Sequence, residues 1–119
     1  MRVLFRDNKL GKSLTIEKEI NKRYGVKANN IKKRMNELIN VFNNLAEIPT
    51  DPPQRRHKLS NYSSVHASTG IEYFGIDVSS NYRLIFHAIP PGIPFGPSGE
   101  MLLDEVKSIK IIEVRDYHD

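Results

Sequence analysis

Residues 71–89, IEYFGIDVSSNYRLIFHAI, decide the fold. Two runs rich in β-branched and aromatic side chains, 71–78 and 82–89, flank Ser79-Ser80-Asn81, a polar break that suits a hairpin turn. A third run of the same kind, IKIIEVRD, occupies 109–116. The prolines and glycines of 90–108 make the intervening segment a long excursion, with a helical turn expected at most at EMLLDEV.

Upstream of the hairpin the period changes. MRVLF at 1–5 reads as a first strand. SLTIEKEINKRYG at 13–25 places Ile16, Ile20 and Tyr24 four apart, with Ser13 or Thr15 as cap and Gly25 as stop. NNIKKRMNELINVFNNLAEI at 29–48 carries Ile31, Met35, Leu38, Phe42 and Leu45 on one helical stripe, capped by Asn29 or Asn30. The three prolines of PTDPPQRRHKL, 49–59, exclude a regular element there, and the Ser-rich 61–70 reads as a loop. The expected fold is α+β. An N-terminal strand and two antiparallel helices precede a three-strand antiparallel run that completes a small twisted sheet, in one domain spanning 1–119.

Composition narrows the class. The chain has 119 residues and no cysteine, so disulfides and thiolate metal sites are excluded. Arg2, Arg6 and Asp7 interrupt any signal-peptide pattern, and no apolar run approaches a membrane span, so a soluble cytoplasmic protein with no membrane partner is expected. The net charge of +4 is unevenly spread, with 14 Lys and Arg against 6 Asp and Glu in 1–58, but 4 against 8 in 59–119. The basic half favours a polyanion such as RNA, and equally describes a solvated helix face. Lys32, Lys33, Arg55, Arg56 and Lys58 are the candidate RNA contacts.

Three short segments, in order, carry a resemblance: Arg56-His57-Lys58-Leu59, Asn81-Tyr82-Arg83-Leu84-Ile85-Phe86, and Asp116-Tyr117-His118 near the end. They resemble the RelE/ParE superfamily of toxins, most closely the HigB-like plasmid maintenance killer proteins of type II toxin–antitoxin systems. Ser60 stands where that family often has Lys, and Tyr82 where it has Trp. The resemblance spans the last two-thirds of the chain. It implies a ribosome-associated mRNA endoribonuclease that uses no metal or other cofactor. It also implies an antitoxin partner with a helix-turn-helix domain, in a toxin–antitoxin hetero-oligomer.

Such a reaction makes definite demands on side chains. A ribose 2′-hydroxyl attacks phosphorus, so a group must take its proton, another must hold the phosphate charge, and a third must protonate the leaving 5′-oxygen. Histidine suits the proton transfers near neutral pH, and arginine suits the phosphate. The expected catalytic set is His57, Arg83, Asp116, Tyr117 and His118, with Lys58 beside Arg83 on the phosphate. On an extended strand Ile112, Val114, Asp116 and His118 share one face and Tyr117 takes the other. A solvated tail competes for Asp116–His118. A metal held by His57, Asp116 and His118 has no helical His spacing to favour it. The alternative functions are a non-enzymatic ParE-like binding toxin and a degenerate, non-toxic relative.

Overall fold

The computed structural model describes residues 1–89 and 95–117. The α+β architecture and the order of its elements follow the expectation. Strand β1 (Arg2–Phe5) leads into helices α1 (Asn8–Thr15), α2 (Glu17–Tyr24) and α3 (Ala28–Asn36). Strands β2 (His57–Lys58), β3 (Phe74–Asp77), β4 (Tyr82–Ala88) and β5 (Ser108–Asp116) follow. The sheet order is β1-β5-β4-β3-β2, with β1 parallel to β5 and every other pair antiparallel.

The expected first helix is in fact two, and helical structure begins before Ser13. Asp7 caps α1, its carboxylate accepting the Leu10 N–H at 2.8 Å. Leu10 and Leu14, one turn apart, are buried in the core. Gly11 sits inside α1 for a packing reason, since a Cβ there would lie 3.2 Å from the Phe5 ring. The chain turns extended at Ile16 (ψ 118°), and α2 restarts with Glu17 and Glu19 in its first turn and Lys22 and Arg23 in its last, matching the helix dipole. Ser13 and Thr15 therefore cap nothing; their hydroxyls donate back to the carbonyls of Leu10 and Gly11, both at 2.7 Å. Gly25, at φ +52°, ends α2 as expected.

The expected second helix is shorter at its C-terminal end. α3 begins at Ala28, directly after a 3-10 turn at Gly25–Lys27, so Asn29 and Asn30 lie inside its first turn and are not its cap. It passes into a π turn at Glu37–Val41 and stops before Ile48. The ammonium of Met1 donates to the carbonyls of Leu38 at 3.0 Å and Phe42 at 2.6 Å, satisfying oxygens that a continuing helix would use. Asn44 then caps a short turn at Leu45–Glu47. Leu45 and Ile48 are buried all the same.

β2 corrects the expectation that prolines exclude any element in 49–59: the chain is paired again at His57. A 3-10 turn at Leu103–Glu105 falls within EMLLDEV, where a helical turn is expected. Among the described residues no helix is long and apolar enough to cross a membrane.

The sheet has two unlike faces. Phe74, Ile76, Leu84, Phe86, Ile109 and Ile111 pack with the helices in the main core. Tyr73, Ile85 and Ile112 form a second cluster, covered by Leu59, Tyr62 and Ala67. Between Ile85 and Phe86 the β4–β5 register shifts, so Ile85 opposes Glu113 while Phe86 opposes Ile111. This bulge sets Ile112 in the second cluster, against the expectation that it shares a face with Val114, which packs on the main core.

Candidate active site

The face away from the helices carries a polar row across four strands. His57 on β2 opposes Gly75, and two residues further along β3, on the same face, Asp77 opposes Arg83 of β4. Arg83 in turn opposes Arg115 of β5. Asp77 anchors the row. Its carboxylate accepts from Arg55 Nε at 2.7 Å and Nη2 at 3.1 Å, and from Arg83 Nε at 3.0 Å. The bond to Asp77 raises the Arg55 pKa further above its usual value. Arg55 holds φ +46°, a left-handed conformation uncommon for a residue with a Cβ, where the chain turns into β2.

Tyr117 closes the row from the end of β5. Its ring centre lies 4.5 Å from the Arg83 guanidinium carbon and 5.4 Å from that of Arg115, and the Tyr117 N–H donates to Asn81 O at 2.8 Å. His57 is oriented by its own strand entry, with Nδ1 2.8 Å from Arg55 O. A carbonyl only accepts, so Nδ1 carries the proton and a neutral ring keeps its lone pair on Nε2. The ring lies over Gly75, where a Cβ would stand 3.5 Å from it.

Segment 60–70 lies across the neighbouring part of this face. Tyr62 donates to Glu113, Arg115 donates to Ser63 O at 3.0 Å, and the Ser68 N–H donates to the Tyr73 hydroxyl at 2.8 Å. Burial, and then the bond to Glu113, push the Tyr62 pKa upward.

The structure brings His57, Arg83, Tyr117 and Arg55 to one face and leaves other expected residues elsewhere. Asp116 opposes Tyr82, whose ring packs on the helix-side core, and the Asp116 charge is the main cause of a raised Tyr82 pKa. Asp116 is therefore on the opposite face from His57. His118 lies outside the described residues. Lys58 opposes Phe74, facing away from Arg83, and pairs with Glu72 at 2.6 Å. Arg56 donates to Ile48 O at 3.0 Å, and burial lowers its pKa. Lys32 and Lys33 belong to α3, on the other side of the sheet, where Lys32 pairs with Glu17 at 3.2 Å.

Asp77 and Arg115 are absent from the expected site. A hairpin turning at Ser79–Asn81 places Asp77 opposite Arg83, so the sequence held a signal for the first. Among the described residues no group of three His, Cys, Asp or Glu is arranged to hold a metal ion. The chain matches no family model, no curated protein and no solved structure.

Proposed function

We propose that this chain is a HigB-like toxin, an endoribonuclease that cuts mRNA on the ribosome by 2′-hydroxyl attack and is neutralised by an antitoxin with a helix-turn-helix domain. The observation that carries the reading is the placement of Arg83 between Asp77 and Tyr117, on the face that His57 shares. Arg83 holds the scissile phosphate, with Arg55 and Arg115 adding positive charge around it. His57 exchanges a proton through Nε2, because Nδ1 is committed to Arg55 O. Tyr117, 37% exposed, offers its ring to a base. His118 is assigned the second proton transfer on the family resemblance alone.

A second reading, binding without cleavage, is favoured by two observations: segment 60–70 packs over part of the same face, and Asp116 lies on the other. Purified chain added to translating ribosomes separates the two. Inhibition accompanied by new mRNA 5′ ends supports the nuclease, and inhibition with intact mRNA supports the binding toxin.

A further inference from the structure

A cleft of about 800 Å³ opens between the α1–α2 pair and the end of the sheet, lined by Tyr82 and Val114 from the helix side, by Glu113 from the other side and by His66 of segment 60–70. Its volume is in the range of sites that take small organic ligands. Arg6, Lys9, Lys22 and Arg23 bring positive charge to its wall, against Glu19 and Glu113. Glu113 already accepts from Tyr62, and Arg6 is paired with Asp7 at 3.1 Å. Lys9, Lys22 and Arg23 make no ion pair among the described residues. The half-buried rings of Tyr24 and Tyr82 also line the space. Cations gathered around a concavity beside aromatic walls suit a ligand with phosphate and a flat base.

We propose that this cleft binds a nucleotide, its phosphate held by Lys9, Lys22 and Arg23 and its base set against Tyr24 or Tyr82. Tyr82 and Arg83 are consecutive on β4 and face opposite sides, so the cleft and the arginine row meet at one end of the sheet. A free nucleotide and a nucleotide within single-stranded RNA share this chemistry. Occupancy of the cleft does not require that the chain cut RNA.

Two probes test it: AMP, and a fluorescent hexa-adenylate with 2′-O-methyl riboses, which has no attacking hydroxyl. Binding of each is measured for the wild-type chain, for Lys22→Gln combined with Arg23→Gln, and for Lys107→Gln, exposed just before β5, as a control. Circular dichroism verifies that each variant folds, and Lys9→Gln replaces the double variant if that one does not. The double variant is expected to bind about tenfold more weakly, with the slope of log K against log salt for the hexamer reduced by about 0.7 per lost contact. A loss for both probes identifies a nucleotide site, and a loss for the hexamer alone identifies a strand site. No binding of either probe, equal affinity in the double variant, or an equal loss in Lys107→Gln overturns the proposal.

Discussion

Arg83 is fixed from two sides: its Nε donates to Asp77 at 3.0 Å, and its guanidinium carbon lies 4.5 Å from the centre of the Tyr117 ring. The same carboxylate holds Arg55 through two bonds, so one acid positions two cations on the face that His57 shares.

Asp77→Ala removes that anchor and leaves Arg55 and Arg83 close together without their common counter-ion. The Asp77 and Arg83 side chains are each 19% exposed, so solvent screens the loss only partly. A destabilisation of about 1–2 kcal/mol is expected, read as a lower urea midpoint. An unchanged midpoint would show that the two arginines do not depend on Asp77.

Ile85 is fully buried although it faces away from the helices, because segment 60–70 covers it together with Tyr73 and Ile112. Ile85→Ala is expected to cost about 2–4 kcal/mol in urea unfolding, as a core position would. A loss below about 0.5 kcal/mol, the usual surface value, would mean that the segment does not pack there.

Asp7 provides a pH test. Its pKa is lowered from 3.8, first by the Leu10 N–H and then by Arg6. A depressed carboxyl pKa contributes stability that is complete above the unfolded value and lost as pH falls through the folded value. Wild type should therefore melt higher than Asp7→Ala at pH 7, and the gap should close as pH falls below 3.8. A gap of the same size well above and well below that value would contradict the capping role.

The β-rich runs and the helical stripes were legible because their periods are set by burial, and the α+β order followed from them. Boundaries were harder. Asp7 caps α1 from a position that apolar spacing alone does not mark, and in the π turn after α3 the Leu38 carbonyl accepts from the Met1 ammonium, 37 positions away in sequence. At the site, strand alternation separates Asp116 from Tyr117 as extended geometry predicts, while the bulge after Ile85 moves Ile112 to the other face. The shared role of Asp77 depends on Arg55 reaching it from outside the hairpin, and no local pattern encodes that.

In the proposed reaction His57 and Arg83 act on an RNA phosphate. Primer extension on mRNA from bacteria induced to express the wild-type chain, His57→Ala or Arg83→Ala tests this most directly. New 5′ ends with the wild-type chain, reduced by about 10²-fold or more in each variant, are the predicted result. Wild-type expression without new ends, or ends of equal abundance in all three, would contradict it.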